Sequence, residues 1–553
     1  MTHVEKAHKY ARDVVSGKIV ACKYVKQACQ RQIDDLKRWK GPKAPYYFDE
    51  AAAEFVCGFI ECLPHIKGEW ARQKRTIKLE QWQQFILCTV FGWKRRDGSR
   101  RFRTVYIEVA RKNAKSTLSS GVGLYMLVAD GEPGAEVYSA ATTRDQARIV
   151  WEDAKRMAEK TPDLRQFGVK AHAHAITNDD GGSFKALSAE AKNLDGLNIH
   201  CGIIDELHAH RTREVFEVLE TGTGARSQPL LWCITTAGSD RSGICYEQRG
   251  YALKILDRAV EDETYFGTVY TLDEKDDWAD ETTWGKANPN LGVSAKLDDL
   301  QRKAAKALQQ TAAQPGFLTK HLDQWVNADQ AWMDMRKWDA CGDPTLNIED
   351  FRGEPCWLGV DLASKTDIAA LTALFAREGK RYLFRYCWAP EDTVDGSTNS
   401  QYAGWAIEGR LLTTDGATTD FDEIGDKIRD LAREYDLRAA AFDPWQALKL
   451  MQELQAEGVP VVEYRNTIGN LSEPMKQLEA DVLDGHVVHE GCPMAAWMVS
   501  NVVCHRDQKD NVMPRKEHAV NKIDWPVSAI YAYGVYLRDE SAQEIDLDQM
   551  AFA

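Results

Sequence analysis

The sequence lacks the long apolar segments of membrane and secreted proteins. No apolar run approaches the ~20 residues that a membrane-spanning helix needs. The N-terminal stretch MTHVEKAHKYARDVV is charged and has no apolar core like that of a signal peptide. We therefore expect a protein without membrane contact that stays in the cytosol of the cell that makes it.

Cysteine spacing typical of a structural zinc site is also missing. The 13 cysteines are scattered along the chain. The closely spaced pair Cys57 and Cys62 has no second pair at the spacing of a zinc finger. We expect these cysteines to be reduced and mostly buried thiols.

The chain has no overall excess of positive charge. Its net charge is −14 and its pI is near 5.5, which argues against a surface covered with nucleic-acid-binding charge. The segment from Lys67 to Lys115 is nevertheless rich in Lys and Arg. These side chains could form a solvated basic face, or they could contact the phosphates of a nucleotide or of DNA.

The 553 residues are enough for several hydrophobic cores, and the patterning divides them into two main domains. Apolar residues recur at helical spacing in the first part of the chain, whereas short β-rich runs alternate with helices further on. This alternation predicts α/β domains with mostly parallel sheets. The predicted divisions are a helical N-terminal extension (1–60), a first α/β domain (61–340), a second α/β domain (350–540) and an acidic tail (541–553).

The predicted elements can be placed from these patterns. In the first domain the predicted strands are Thr104–Val109, Glu136–Ala140, Ser183–Leu187, His200–Ile204 and Leu230–Thr235, with helices that begin near Ser116 and Arg144. In the second domain the predicted strands are Trp357–Asp361, Ile368–Phe375, Arg381–Trp388 and Ala439–Phe442. The predicted helices there are Phe421–Tyr435, Trp445–Gln455, Glu473–Asp484 and Pro526–Leu537.

A strand, a tight loop ending in Lys-Ser and a helix predict a phosphate-binding site. The N–H groups at the start of the helix favour phosphate oxygens, Lys115 would reach the β- and γ-phosphates, and Ser116 would bind Mg²⁺. Val109 and Ala114 occupy the usual glycine positions, and alanine disfavours positive φ. The candidate nucleotide-binding residues of this loop are Arg111, Lys112, Asn113, Ala114, Lys115, Ser116 and Thr117.

Two adjacent carboxylates end a later apolar strand. Asp205 could hold Mg²⁺ through water, and Glu206 could orient and polarise the attacking water molecule. Adjacent carboxylates at a strand end can also be exposed turn residues. Their position after a Lys-Ser loop, on a strand that looks buried, favours the functional interpretation.

Further segments of the first domain could serve the same site. The stretch Thr235–Gly238 could sense the γ-phosphate, and in Leu79–Gln83 an amide could bind adenine while an aromatic ring stacks on it. Taken alone, both are more typical of plain structure. The histidine pairs His172/His174 and His208/His210 could bind a metal, but surface or hydrogen-bonded roles are more common for such pairs.

Three spaced carboxylates predict a metal site in the second domain. Asp361 and Asp443 end apolar strands, and Asp524 opens an apolar helix. Two Mg²⁺ ions roughly 4 Å apart can activate water and stabilise the leaving oxygen of a phosphodiester. Each residue alone could be a helix cap or turn residue, and Asp367 is a further candidate ligand. The basic loop His505–Lys522 could hold a DNA strand.

With these motifs the chain resembles the large subunits of tailed-phage terminases. The resemblance covers nearly the whole chain. The motifs that carry it are Trp82-Gln83, Phe91-Gly92-Trp93, the loop from Ala110 to Thr117, Ile203-Ile204-Asp205-Glu206-Leu207-His208, Thr235-Thr236-Ala237-Gly238, Ala287-Asn288-Pro289, Gly359-Val360-Asp361-Leu362, Phe442-Asp443 and Lys522-Ile523-Asp524.

The resemblance implies an N-terminal additional-strand P-loop ATPase domain that moves double-stranded DNA into the procapsid and a C-terminal RNase H-like nuclease domain that cuts DNA concatemers. It implies ATP and Mg²⁺ as cofactors, with Mn²⁺ possible in the nuclease site. The implied partners are double-stranded DNA, the capsid portal protein, a small terminase subunit and further copies of the chain in a ring, typically of five. The protein would act in the cytoplasm of the infected host and be absent from the mature virion.

The resemblance also assigns roles to residues. Gln83 would bind adenine, Lys115 and Ser116 phosphate and Mg²⁺, Asp205 the metal, and Glu206 would be the catalytic carboxylate. Thr235–Gly238 would couple hydrolysis to movement, and the nuclease metals would be bound by Asp361, Asp443 and Asp524. The candidates for an arginine finger are Arg111, Arg144 and Arg226.

Two alternatives belong to other classes. A helicase or repair ATPase should carry more helicase motifs in a second ATPase-like domain, whereas here the second domain carries the Asp residues. A scaffold with a decayed ATPase is suggested by Ala114, but Lys115, Asp205 and Glu206 are all retained.

Overall fold

The computed structural model describes residues 1–141, 144–188, 196–210, 212–241, 243–310, 313–326, 332–362, 366–397, 399, 401–507, 509–517 and 521–551, with the side chains of 144–146, 188 and 541–551 left out. The chain forms two compact units. The first comprises residues 1–309 and 316–326, and the second comprises residues 310–315 and 327–553.

Helices at the N-terminus pack into the core of the first unit. The helices are α1 (His3–Val15), α2 (Lys23–Arg38), α3 (Glu50–Cys62), α4 (Gly68–Arg72) and α5 (Gln81–Gly92). The apolar faces of α1, α2, α3 and α5 share one cluster with the first sheet, in which Val25 and Ile60 are fully buried. The helical prediction is wrong at Tyr46–Phe48 (β1), which pairs antiparallel with Trp93–Arg95 (β2). The reason is aromatic packing across that pair, since the Phe48 and Trp93 rings lie 5.5 Å apart.

The first sheet has eight strands in the order β10-β3-β9-β8-β4-β7-β6-β5. Its strands are β3 (Thr104–Glu108), β4 (Glu136–Ala141), β5 (Lys170–Ala171), β6 (Ile176–Thr177), β7 (Ser183–Ser188), β8 (Ile199–Asp205), β9 (Leu230–Thr235) and β10 (Tyr265–Val269). Pairing is parallel from β10 to β7 and antiparallel at the β5–β6 edge. The predicted mostly parallel sheet is confirmed, whereas β5, β6 and β10 were not predicted.

The remaining helices of the first unit lie between these strands in the sequence or follow them. They are α6 (Lys115–Val128), α7 (Arg144–Lys160), α8 (Pro162–Gln166), α9 (Glu214–Thr221), α10 (Ile244–Leu256), α11 (Leu297–Gln309) and α12 (Gln314–His321). Because β3, β9 and β8 are adjacent and parallel, their carboxyl ends lie side by side. Ligands of such sheets bind at the carboxyl ends of the strands.

Part of the basic run from Lys67 to Lys115 is structural. Arg100 and Arg101 are fully buried. Arg100 lies 2.7 Å from Asp130, and Arg101 lies 2.8 Å from Asp35. Burial alone would raise the pKa of Asp130, but Arg100 and His200 together outweigh burial and lower that pKa. These two arginines therefore stabilise the fold and do not form a surface for phosphate.

We expect Arg100→Met to destabilise the first unit by about 3–5 kcal/mol, because it leaves the Asp130 carboxylate buried without its cation. Urea unfolding of the full chain measures this loss. Arg72→Met is the control, since Arg72 is 78% exposed and pairs with Glu69 in its own helix. A loss below about 1 kcal/mol for Arg100→Met, the range of surface pairs, would contradict a structural role for the pair.

The second sheet begins with an antiparallel meander. Its strands are β11 (Pro355–Asp361), β12 (Ala369–Arg377), β13 (Lys380–Pro390), β14 (Leu412–Thr414), β15 (Asp436–Phe442), β16 (Val461–Glu463) and β17 (Val487–His489). The order is β14-β13-β12-β11-β15-β16, and β15 and β16 run parallel to β11. A meander extended by parallel strands is the RNase H-like arrangement that the resemblance implied. A separate hairpin joins β18 (Val502–Arg506) and β19 (Val512–Lys516).

The helices of the second unit are α13 (Met335–Ala340), α14 (Glu391–Asp395), α15 (Gln401–Ile407), α16 (Phe421–Glu434), α17 (Pro444–Ala456), α18 (Ile468–Leu483), α19 (Pro493–Ser500) and α20 (Asp524–Ala551). The predicted tail begins within α20. Gly359 of β11 permits the close approach of α20, since a Cβ there would lie 1.9 Å from the Ser528 carbonyl oxygen. This contact brings the start of α20 to the end of β11.

Two expectations from composition can be compared with the structure. All 13 cysteines are unpaired, and all but Cys62 and Cys504 are buried, as predicted. Within the described ranges, none of the helices combines the length and the apolar character needed to cross a bilayer.

Candidate functional site

The loop between β3 and α6 has an unusual backbone. Lys112 and Ala114 have φ angles of 70° and 61°, in the left-handed region that favours glycine. Ala114 directly precedes α6, so the first N–H groups of this helix follow the loop. The sequence had indicated that alanine disfavours such a conformation, yet Ala114 adopts it.

Two side chains at the start of α6 contact the ends of neighbouring strands. The Lys115 ammonium donates to the Val109 carbonyl oxygen at 3.1 Å and lies 3.9 Å from Glu206 Oε1. The Ser116 hydroxyl donates to Asp205 Oδ2 at 3.1 Å. A hydroxyl beside a carboxylate is a suitable oxygen pair for Mg²⁺. The predicted phosphate loop and carboxylate pair therefore meet at one edge of the sheet.

Glu206 has a left-handed φ of 52° and lies among donors. His208 Nδ1 is 3.3 Å from Glu206 Oε2, and the Thr236 hydroxyl donates to the same oxygen at 3.4 Å. Burial would raise the pKa of Glu206, but His208 and the Lys115 charge outweigh it and lower that pKa to about 2. Glu206 is thus ionised at neutral pH, as a group that polarises water must be.

The pKa of Asp205 is shifted in the opposite direction. Burial, followed by the charge of Glu206, raises the pKa of Asp205 to about 6. A folded-state pKa above the unfolded value stabilises the fold at low pH, and this contribution is lost as the pH rises through about 6. A bound cation would offset this cost.

We therefore expect Asp205→Asn to be more stable than the wild type at pH 7 without metal or nucleotide, by at most about 3 kcal/mol. The difference should shrink as the pH falls from 7 towards about 4, because the wild-type carboxyl becomes protonated in the folded state below about 6. Urea unfolding of both proteins in EDTA across this range measures it. A difference that does not change with pH would contradict a raised pKa.

A cavity of about 150 Å³ lies beside the phosphate loop. Gln83, the predicted adenine ligand, lines it together with Trp70, Arg75, Thr117 and Ala114. The Gln83 amide oxygen also accepts from the Glu80 N–H at 2.9 Å, which closes the first turn of α5.

For the aromatic ring of Leu79–Gln83, the structural interpretation is the correct one, because Trp82 belongs to the core. Trp82 is 1% exposed, and its indole N–H donates to Asn290 Oδ1 at 2.6 Å. The aromatic side chains beside the cavity are instead His65 and Trp70, whose rings lie 4.7 Å apart. Sequence reasoning passed over these two residues because they lie before the recognised motif.

The remaining predicted loop residues divide into two groups. Asn113 is fully buried and points into the protein, where its amide donates to Asn288 Oδ1 at 3.0 Å. Arg111 and Lys112 are exposed. Of the arginine-finger candidates, Arg226 is held by Glu132 at 3.3 Å and by backbone carbonyls, and the side chain of Arg144 lies outside the described residues. Arg111 is the exposed candidate.

The histidines have surface or hydrogen-bonded positions, which is the more common role for such pairs. His172 is exposed beside Thr177, and His210 is buried, which lowers its pKa to about 4. His208 bonds to the Thr235 hydroxyl at 3.1 Å as well as to Glu206. Sequence reasoning missed this link between the carboxylate pair and Thr235–Gly238, although His208 stands in the quoted motif.

The three predicted carboxylates of the second unit act on one another. Burial raises the pKa of Asp361 well above its usual value, and Asp524, Asp443 and Asp367 add to this shift through their charges. Burial, followed by the charge of Asp367, raises the pKa of Asp524 to about 7. The end of β11, the residue that follows β15 and the start of α20 thus carry carboxylates whose charges raise the pKa of Asp361 together with its burial.

The carboxylates are suitable ligands for a metal ion, but their side chains do not converge on one point in this structure. Among the described residues, no three His, Cys, Asp or Glu side chains lie close enough to hold a metal ion. Asp524 Oδ2 is buried without a hydrogen-bond partner, as expected of an oxygen that accepts a cation. Asp443 accepts from the N–H groups of Trp445 and Asn466 at 2.9 and 3.0 Å, so it also caps α17. The donor set consists of carboxylate oxygens, which are the ligands that hard cations prefer.

The predicted basic loop His505–Lys522 is largely the β18–β19 hairpin. Arg515 and Lys516 are exposed on β19, and the Lys516 charge lowers the pKa of both Asp361 and Asp524 against the larger effect of burial. Lys522 Nζ lies 2.6 Å from Asp367 Oδ1. Residues 508 and 518–520 of this loop lie outside the described residues.

Two family models match successive parts of the chain. A family model described as terminase large subunit, ATPase domain, matches residues 81–254, and one described as terminase large subunit, endonuclease domain, matches residues 259–540. Protein YmfN of Escherichia coli (strain K12) is 37% identical over 354 residues, which cover 62% of this chain and 78% of that protein.

Phage proteins are also similar. The terminase, large subunit, of Enterobacteria phage HK97 is 27% identical over 457 residues, which cover 81% of this chain and 89% of the relative. The crystal structure of the HK97 bacteriophage large terminase is 26% identical with a TM-score of 0.44, and the match covers 87% of this chain and 99% of that chain.

The paired matches argue against both alternatives from the sequence, because a helicase would not carry the endonuclease domain and a scaffold would need neither activity. The endonuclease model alone matches just over half of the chain. The chain therefore belongs to the terminase large subunit family and carries that family's ATPase and endonuclease domains.

Proposed function

We propose that the first unit hydrolyses ATP at the carboxyl ends of β3, β8 and β9. Lys115 binds the β- and γ-phosphates, and Ser116 and Asp205 hold Mg²⁺. Glu206 orients and polarises the attacking water. The observation that supports these roles is the contact of Ser116 with Asp205 beside an ionised Glu206.

The base of ATP would occupy the cavity beside Gln83. Its size of about 150 Å³ and its lining by Trp70, Gln83 and Thr117 suit a flat, polar-edged ring. Lys112 and Ala114 would contact phosphate through the loop backbone, whereas the Arg111 N–H already donates to the Lys320 carbonyl oxygen. Arg111 is the proposed arginine finger for a neighbouring copy in a ring, because it is exposed at the loop.

The second unit would cut DNA with Asp361, Asp443 and Asp524 as ligands of two divalent cations. The bound ions would activate water and neutralise the phosphodiester, as in other two-metal sites. Mg²⁺ is the proposed metal, and Mn²⁺ is accepted as well because both prefer oxygen ligands. Asp367 pairs with Lys522, which would position it at the edge of the site.

Together the two activities would package viral DNA in the cytoplasm of the infected bacterium. The proposed partners are double-stranded DNA, the portal protein of the procapsid and a small terminase subunit. Copies of the chain would form a ring on the portal. ATP hydrolysis would be coupled to DNA movement through the stretch Thr235–Gly238. Hydrogen bonds connect Glu206 to this stretch directly and through His208.

A packaging reaction tests this proposal. The full chain is mixed with ATP, Mg²⁺, linear DNA, the small subunit and portal-bearing procapsids, and DNA protected from added DNase is measured. Protected DNA should appear only with ATP and should be absent for Lys115→Ala. Wild-type protein that hydrolyses ATP and nicks DNA but protects none would contradict the packaging role.

A further inference from the structure

A turn outside the phosphate loop holds that loop by reciprocal hydrogen bonds. Asn288 and Asn290 are 1% and 3% exposed. Asn288 Oδ1 accepts from Asn113 Nδ2 at 3.0 Å, and the Asn290 N–H donates to Asn113 Oδ1 at 3.0 Å. Both ends of the Asn113 amide are thus fixed by a turn that lies 175 residues further along the chain.

The turn is itself anchored on two sides. Asn288 Nδ2 donates to the His321 carbonyl oxygen at 2.7 Å and to that of Trp284 at 3.2 Å. Asn290 Oδ1 accepts from the buried indole of Trp82 in α5. Because these partners belong to packed parts of the first unit, the turn cannot shift without breaking buried hydrogen bonds.

The loop that is held in this way is strained. Asn113 lies between Lys112 and Ala114, both with left-handed φ. Such angles cost free energy in residues that carry a Cβ, and they persist where the surroundings over-determine them. Two contacts from outside the turn also hold the loop. Ser294, four residues after Asn290, donates to the Lys112 carbonyl oxygen at 2.6 Å, and the Arg111 N–H donates to the carbonyl oxygen of Lys320 in α12 at 2.7 Å.

We propose that the turn Ala287–Asn290 is a clamp that holds the phosphate loop in its nucleotide-binding shape before ATP arrives, with Asn288 as its positioning residue. The clamp replaces the conformational freedom that glycine would give at position 114. Without the clamp the loop adopts other conformations. The apparent affinity for ATP then falls in proportion to the fraction of molecules that keep the binding conformation. This inference rests on the proposal that the loop binds the phosphates of ATP.

The family match to the endonuclease domain begins at residue 259, so this turn falls within the range of that match. In the structure, however, residues 259–309 belong to the first unit. The clamp therefore predicts that a substitution in a segment matched as endonuclease alters ATP binding and leaves DNA cutting unchanged.

Asn288→Ala in the full chain tests this. We expect the KM for ATP, and the Kd for a non-hydrolysable ATP analogue, to rise on the order of tenfold, with a smaller change in kcat. Plasmid nicking by the second unit should match the wild type. An unchanged KM for ATP in a folded Asn288→Ala protein would overturn the proposal.

Rescue by Ala114→Gly separates positioning from general stability. Glycine removes the strain at position 114, so the rise in KM caused by Asn288→Ala should be several-fold smaller when Ala114→Gly is present. Ala129→Gly is the control, because Ala129 ends the same helix with a φ of −128°. Equal effects of Asn288→Ala in all three backgrounds would overturn the clamp. If Lys115→Ala also binds the analogue normally, the proposed nucleotide site itself is wrong.

Discussion

Replacing Glu206 by Gln is expected to reduce ATP turnover by about 100-fold or more, the range for loss of a positioned acid–base group. Gln keeps the size of the side chain and can still contact His208 and Thr236. It lacks the negative charge that the low pKa of Glu206 preserves at neutral pH. Turnover should therefore fall in kcat while the KM for ATP changes little, and steady-state phosphate release measures both.

The result is informative only with matched controls. Glu214→Gln makes the same chemical change at an exposed position of α9 and should leave turnover unchanged. DNA nicking by Glu206→Gln should remain, because the carboxylates of the second unit are untouched. Equal ATP turnover by Glu206→Gln and the wild type would exclude Glu206 as the catalytic carboxylate.

Much of this ATPase site was predictable from local sequence, because the chemistry depends on residues at strand ends. The runs before Lys115 and Asp205 are apolar and β-rich, and parallel pairing brings the carboxyl ends of adjacent strands together. The strand order β3-β9-β8 was not predictable, since pairing between distant segments leaves no periodic signal. The hydrogen bond of Trp82 was not predictable for the same reason, because its partner Asn290 is remote in sequence.

The buried polar residues were the hardest to interpret. Arg100 and Arg101 look like surface charges in the sequence, and only their partners Asp130 and Asp35 explain their burial. Ala114 looked like a departure that weakens the site. Its left-handed backbone shows that the conformation is kept without glycine, which local sequence could not reveal because the supporting contacts come from the Asn288 turn.

For the second unit, we expect Asp361→Asn to lower metal-dependent plasmid nicking by at least about 100-fold. Substitution of residues that merely hydrogen-bond to metal ligands already costs ~10–100-fold in metal affinity or activity. ATP turnover should be unchanged. The assay compares nicked and supercoiled plasmid in Mg²⁺ or Mn²⁺, and Asp443→Ala should show the same loss. Asp426→Asn is the control, since Asp426 is 75% exposed on α16.

The same substitution should make the metal-free protein more stable. The pKa of Asp361 is raised by burial and by the charges of Asp524, Asp443 and Asp367, so the wild-type carboxylates destabilise the fold at pH 7 unless cations neutralise them. Thermal unfolding in EDTA should show a higher Tm for Asp361→Asn, whereas added Mg²⁺ should raise the Tm of the wild type more than that of the variant. A variant that is both inactive and less stable in EDTA would indicate a folding role for Asp361. Loss of DNA cutting together with higher stability is the result expected if these carboxylates serve metal-dependent chemistry at a cost in stability.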